Sequence, residues 1–297
     1  MKKASLFFAG IFFQTIVFCQ MNRKADSVLQ MIQSVMAQEK GVFALAFKNL
    51  ESGETVLWNE KENFHAASTM KTPVMIEAYK QAAAGKFSLN DLMVIKNEFK
   101  SIVDSSLYSL NAADDSYPDI YQQIGTKASI HDLVYQMIIN SSNLATNLMM
   151  EKLGGKNITE SMRELGAKDI RILRGVEDGK AFAQNLNNTV TAYDLMLIYE
   201  QMALGKIIGQ KESEAMISIL LDQRHNTLIP ALLPKELRIA HKTGTITGVH
   251  HDSGIVFLPD GRKYVLVILS KQLEDADKAT AAMAKLSLLL YKQFFSL

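Results

Sequence analysis

Val42-Phe43-Ala44-Leu45-Ala46-Phe47 is an unbroken apolar run of strand length, the pattern of a strand buried inside a sheet. Upstream, residues 22–39 carry Val28, Leu29, Ile32, Val35 and Met36 at helical spacing, and Gly41 closes that run. Downstream, Glu51-Ser52-Gly53-Glu54 turns the chain and Thr55 to Trp58 supplies a second strand. The far end of the chain has the same character. Arg238 to Thr243 and Val249 to Leu258 read as strands, Pro259-Asp260-Gly261-Arg262 as a turn, and Lys263 to Ser270 (KYVLVILS) as another strand. A last helix from Asp275 to Phe295 carries Ala279, Met283, Leu286, Leu289 and Leu290 on one face. Residues 70–230 show helical periodicity and almost no strand signal. With strands at both chain ends and helices between them, the expected fold is α+β. An antiparallel sheet of about five strands is flanked by helices and interrupted by an inserted all-helical domain. The predicted boundaries are a discontinuous α/β domain at 20–75 and 225–297 and a helical domain at 76–224, with the active site in the cleft at their junction.

Composition narrows the function classes. A chain of 297 residues with 48% apolar and 21% charged side chains is neither disordered nor fibrous, and can bury a large core. Thirty-two Lys and Arg stand against 31 Asp and Glu, so no global field draws the protein to nucleic acid or to an anionic membrane, and a small molecule is the expected partner. Met1-Lys2-Lys3 followed by the apolar run Leu6 to Phe18 reads as a signal peptide over residues 1–19, which predicts an exported, periplasmic protein with no stable membrane insertion after cleavage. The single cysteine, Cys19, also admits lipoprotein anchoring, although bulky Phe18 precedes it. No cofactor or metal is expected. His250 and His251 are adjacent on a strand and so point to opposite faces, and Asp114-Asp115 lacks the spaced ligand series of a calcium loop. The chain is expected to act as a monomer.

Three short motifs carry chemistry. Ala67-Ser68-Thr69-Met70-Lys71-Thr72-Pro73 precedes the apolar helix Val74 to Ala84 and places Ser68 and Lys71 three apart, so that in a helical turn their side chains share a face. That spacing suits a nucleophilic serine whose proton passes to a lysine of lowered pKa, at a helix start that favours developing negative charge. Asn140-Ser141-Ser142-Asn143 sits at the mouth of a second apolar helix, where the Ser141 hydroxyl could pass a proton and the Asn143 amide could hold a substrate amide. His241-Lys242-Thr243-Gly244-Thr245 lies on a predicted strand. There Lys242 and Thr243 could bind a carboxylate, and Gly244 could let a substrate backbone approach the strand edge. Taken singly, each motif also reads as a helix cap or a turn edge.

Together and in this order, the motifs resemble the Ser-x-x-Lys, Ser-x-Asn and Lys-Thr-Gly triple of the penicillin-recognising serine enzymes. The order of strands and helices, the exported start and the single-module length make the chain, from about residue 25 to its end, similar to the class A serine β-lactamases. The resemblance implies an exported serine hydrolase that opens penicillins or cephalosporins. Ser68 is then the nucleophile, Lys71 joins in proton abstraction, and Ser141 protonates the leaving nitrogen. Asn143 holds the substrate side-chain amide, Lys242 and Thr243 bind its carboxylate, and the amides of Ser68 and Thr245 form the oxyanion hole. The alternative is a D-alanyl-D-alanine peptidase or slowly deacylating penicillin-binding protein, which shares all three motifs.

The chain departs from that pattern in two places. The family's usual aspartate inside the second motif is here Ser142, whose hydroxyl can replace part of its bridging. The family's deacylating glutamate stands in a Glu-x-x-Leu-Asn context. Here the corresponding stretch is Arg174-Gly175-Val176-Glu177-Asp178-Gly179-Lys180, with Ala181 next and Asn185, Asn187 and Asn188 as the nearest amides. Glu177 is the candidate general base, and its other reading is a loop charge paired with Arg174 or Lys180. Whether Lys71 or Glu177 takes the serine proton is left open by the resemblance. Residues 97–124 form a long polar, aromatic-rich segment whose Tyr108, Tyr117 and Tyr121 either wall the cleft or pack the loop down.

Overall fold

A computed structural model describes residues 27–295; the expected signal peptide, with Cys19, and the first residues of the N-terminal helical pattern lie outside them. The chain begins with a helix over 27–36 (α1), then β1 (Val42–Asn49), β2 (Thr55–Trp58) and β3 (Phe64–His65). A 3-10 turn, Ala67–Met70, runs directly into α2 (Lys71–Ala83). Next come β4 (Leu92–Val94), β5 (Phe99–Lys100), β6 (Leu107–Tyr108) and β7 (Lys127–Ser129), then α3 (Ile130–Ile139), α4 (Asn143–Leu153), α5 (Gly155–Glu164) and α6 (Gly179–Ala183). The chain closes with β8 (Thr189–Val190), α7 (Ala192–Ala203), α8 (Gln210–Leu221), β9 (Arg238–Ile246), β10 (Val249–Phe257), β11 (Lys263–Lys271) and α9 (Ala276–Phe295).

Five strands form one antiparallel sheet in the order β2-β1-β11-β10-β9. Strands from the two chain ends meet at its centre, where Leu45 faces Ile268 and Phe47 faces Leu266. Both faces are covered, which is why β1 and β11 read as continuous apolar runs rather than alternating ones. On one face Phe43, Leu45, Phe47, Tyr264, Leu266 and Ile268 pack with α1 and α9. On the other, Ala44, Ala46, Val265, Val267 and Leu269 join the larger core formed with the helices between residues 71 and 221. The small Ala44 and Ala46 leave room for α7 to lie close on β1.

The stretch with almost no strand signal contains two two-stranded ribbons, β4-β7 and β5-β6, and β8, which pairs with β3 just before it. Each strand is only two or three residues long, too short for an alternation to register in the sequence. The helix expected from Val74 begins instead at Lys71, since first-turn amides lack intrahelical partners and Pro73 is therefore tolerated there. His250 and His251 do point to opposite faces: His250 Nδ1 lies 2.6 Å from Thr280 Oγ1 on α9, while His251 Nε2 lies 2.9 Å from the His65 carbonyl.

His251 is fully buried, and burial holds it neutral, down to about 4 from its ordinary value of 6.5. A histidine with a depressed folded-state pKa stabilises the fold above its unfolded pKa and withdraws that support as pH falls. Stability should therefore decline by about 3 kcal/mol between pH 6.5 and 4 from this group. Thermal unfolding across that range checks it, with a shallower decline expected for His251→Gln.

Candidate active site

The three motifs and Glu177 meet at one cleft of about 610 Å³ between β9, the 3-10 turn, the α3–α4 corner and the loop before α6. Ser68, Ser141, Asn143, Glu177 and Thr245 line it. Ser68 sits on the 3-10 turn that becomes α2, after Ala67, whose φ of 43° is left-handed. His65 Nδ1 accepts the Ala67 amide at 3.0 Å and Thr69 Oγ1 donates to the Ala66 carbonyl at 2.6 Å, so the turn is held on both sides. The Ser68 hydroxyl makes no hydrogen bond among the described residues and opens on the cleft.

Lys71, the first residue of α2, is fully buried. Its ammonium donates to the Ser141 carbonyl at 2.6 Å, Ser141 Oγ at 3.2 Å and Asn143 Oδ1 at 2.9 Å. Desolvation pulls it from its usual 10.5 down to about 7, against the opposing pull of the negative charges on Asp115 and Glu177. Lys242 on β9 is equally buried and donates to Ser141 Oγ at 3.0 Å and to the Thr243 carbonyl at 3.0 Å. Burial and the nearby Lys71 charge push it well below the usual lysine range. Ser141, itself at a left-handed φ of 59°, thus has both oxygen lone pairs occupied by lysine donors, which leaves its own proton to give.

Thr243 is buried beside Lys242, while Thr245 reaches the cleft from β9, the edge strand of the sheet. An edge strand offers unpaired backbone groups to whatever lies beside it. Gly244 has a different role from the expected one. A Cβ there would stand 3.1 Å from the Ser68 and Thr69 amides and 3.2 Å from the Ala67 methyl, so the missing side chain lets the strand close onto the Ser68 turn.

Glu177 is not paired with the loop cations. Lys180 binds Asp104 at 2.6 Å, and Arg174 donates to the Leu186 and Gly175 carbonyls and to Asn187 Oδ1. Glu177 Oε1 instead accepts from Asn143 Nδ2 at 2.9 Å. Although the residue is exposed at the cleft wall, its carboxyl is pushed above the usual range by desolvation, an effect that the Asn143 bond partly offsets. Asn143 thereby bridges Lys71 and Glu177 through the two ends of one amide.

Two positioning asparagines carried no expected role. Asn147, one turn after Asn143, grips Val176 from both sides, accepting its amide at 2.7 Å and donating to its carbonyl at 3.0 Å. Gly175 makes room for that grip, since a Cβ there would fall 2.4 Å from Asn147 Oδ1. Asn188 accepts the Leu173 and Arg174 amides and donates to the Arg174 carbonyl and Met70 Sδ, tying the Glu177 loop to the Ser68 turn. The i, i+4 spacing of Asn143 and Asn147 was the available signal for the first; Asn188 stood out only as a nearby amide.

The tyrosines of residues 97–124 pack against the core, and Asp114 and Ser116 are what this segment contributes to the cleft. Asp115 turns inward. Its carboxylate accepts the Asn143 and Leu144 amides at 2.9 Å each, Ser142 Oγ at 3.3 Å, Tyr121 Oη at 3.2 Å and the Tyr117 amide at 2.9 Å. Ser142 caps α4 by accepting the Ala145 amide.

A family model described as the Beta-lactamase enzyme family matches residues 27–294. The extended-spectrum β-lactamase PER-1 of Pseudomonas aeruginosa is 23% identical over 283 residues, 90% of this chain and 88% of that protein. A β-lactamase of Streptomyces cellulosae is 26% identical over 84% of this chain and 78% of its own length. Among solved structures, a β-lactamase of Sphaerobacter thermophilus aligns with a TM-score of 0.77 at 26% identity, over 89% of this chain and 95% of that one. PBP-A aligns with a TM-score of 0.78 at 25% identity, over 91% and 97%.

Because Asn147 Oδ1 accepts the Val176 amide, Asn147→Ala should leave that amide unpaired, with only Tyr108 Oη still donating to the Val176 carbonyl, and cost about 1–3 kcal/mol. Hydrogen exchange should rise selectively across residues 174–180, the test that the asparagine holds the Glu177 loop.

Proposed function

The chain belongs to the β-lactamase enzyme family, and on that premise we propose that it hydrolyses the cyclic amide of β-lactams through an acyl-enzyme on Ser68. The observation that carries this reading is the single hydrogen-bonded circuit Lys242–Ser141–Lys71–Asn143–Glu177, running under the cleft on which the Ser68 hydroxyl opens. With its pKa near 7, Lys71 is an effective base at neutral pH. Its neutral amine takes the Ser68 proton as Oγ bonds to the lactam carbonyl carbon, and the Ser68 and Thr245 amides receive the oxyanion. When the carbon–nitrogen bond breaks, Ser141 gives its proton to the departing nitrogen and is reprotonated from Lys71. Lys242 and Thr243 bind the substrate carboxylate, and Asn143 its side-chain amide. Glu177 then takes a proton from water as the hydroxide attacks the ester, and that proton returns to Ser68 Oγ as the product acid leaves.

The likeness to PBP-A favours a second reading, a D-alanyl-D-alanine peptidase or slowly deacylating penicillin-binding protein, in which the acyl-enzyme persists. The Asn143 bond to Glu177 supports the hydrolytic reading over it. The proposal includes export, supported by the basic start and apolar run of residues 1–18, and action as a monomer.

A chromogenic cephalosporin, with protein mass measured after penicillin exposure, tests the reading. Turnover is expected in the parent chain, no adduct in Ser68→Ala, and in Glu177→Gln a persistent adduct with deacylation slowed by about 10²–10⁴-fold. A long-lived adduct on the parent chain would favour the peptidase reading, and no adduct would overturn both. The acylation rate should climb with pH through about 7 as Lys71 loses its proton, and Lys71→Arg should abolish that limb.

A further inference from the structure

Inside the second motif the residue between Ser141 and Asn143 is Ser142, fully buried and uncharged. The negative charge at this corner comes from elsewhere in the chain. Asp115, 6% exposed, lies against the start of α4, and all five of its hydrogen bonds come from neutral donors. Two of those donors, the Asn143 and Leu144 amides, are first-turn groups without helical partners, so the carboxylate caps the helix and meets the positive end of its dipole. The corner it holds is strained, with Ser141 in the left-handed region, and it projects both side chains that touch Lys71. The Asp115 end of the contact is fixed in turn by the Tyr117 amide and the Tyr121 hydroxyl of its own segment.

We propose that Asp115 is a positioning residue of the catalytic site, supplying from the 97–124 segment the carboxylate that the second motif lacks and so setting the places of Ser141 and Asn143. The proposal rests on the serine-hydrolase reading for its kinetic consequence, but its structural half does not need a substrate. Ser142 Oγ lies 3.3 Å from the Asp115 carboxylate, so an aspartate at 142 would put its own carboxylate into the space that Asp115→Ala empties. With Asp115 present, the same change would press two carboxylates together. The two substitutions should therefore be harmful singly and compensating together.

Charge supplies a second signature. The groups facing Lys71 are Asp115, Glu177, Lys242 and His225; Asp115 and Glu177 favour its charged form. Asp115 likewise favours the neutral form of Glu177, as does Asp114. Asp115→Asn keeps the shape and removes the charge, so both Lys71 and Glu177 should lose protons at lower pH. The acid limb of acylation should move below about 7.

The experiment compares the parent, Asp115→Asn, Asp115→Ala, Ser142→Asp and the Asp115→Ala/Ser142→Asp pair. Penicillin acylation is followed by mass against pH, and hydrogen exchange at residues 141–146 by peptide mass. Acylation slowed by about 10–100-fold in Asp115→Ala, exchange raised at 143 and 144, recovery of both in the double variant and an acidward limb in Asp115→Asn are expected. Unchanged acylation and exchange in Asp115→Ala would overturn the proposal. So would a loss that Ser142→Asp does not repair while the Asp115→Asn limb stays in place, because a merely structural carboxylate would give that result. If Asp115→Ala does not fold, the Asp115→Asn limb decides alone. If the parent chain forms no adduct, the hydrolase reading fails, and exchange at 143 and 144 still decides whether Asp115 sets the corner.

Discussion

A primary ammonium with no access to water is the constraint on which the rest of this structure depends. Lys71 can remain buried only while three acceptors surround it, and all three belong to the corner between α3 and α4, not to its own helix. The helical part of the protein must therefore dock on α2 in one register. Lys242 adds a second buried cation from the sheet side and shares Ser141 Oγ with Lys71. The repulsion between them lowers the proton affinity of Lys242 and is held in place by the surrounding fold.

Around that pair, short polar side chains do the anchoring. Asn143 and Asn188 each spend the two ends of an amide on separate segments and Asn147 spends both on Val176, so three asparagines join the Ser68 turn, α4 and the Glu177 loop. An amide offers a donor and an acceptor without net charge, and so can bridge backbone groups beside two lysines without altering their electrostatics as an aspartate would. Asp115 is the exception, and it is placed where a negative charge also meets a helix start.

Much of this was legible in the residues. The runs at 42–47 and 263–270 identified the central strands because burial on both faces removes polar positions from a strand. The spacing of Ser68 and Lys71, and the Ser141 and Lys242 motifs, marked the side chains that the fold collects at one cleft. What stayed illegible were contacts between segments distant in the chain. Asp115 looks like one of a pair of loop acids until α4 is laid across it, and Asn188 like a loop amide until Met70 and Arg174 stand on either side. Glu177 could be read as a surface charge because its partner, Asn143, lies on another element. The ribbons at 92–129 are two or three residues per strand, too short to show a hydrophobic period, and β4 meets β7 only across the whole intervening segment.

The joining of both chain ends in one sheet governs how the protein comes into being. Val42 pairs with Lys271 and Asn49 with Tyr264, so β1, among the first segments made, has no central partner until β11 has been synthesised. The first motif is complete long before β9 brings Lys242, and no chain that stops short of β9 holds both ends of the Lys71–Ser141–Lys242 contact. Such long-range pairing makes for slow folding with an exposed apolar strand during the wait. It also makes acquisition of the assembled site all-or-none: a chain that stops before β9 lacks the third motif, one that stops before β11 lacks the strand joining β1 to β10, and reactivity arrives only once both are made.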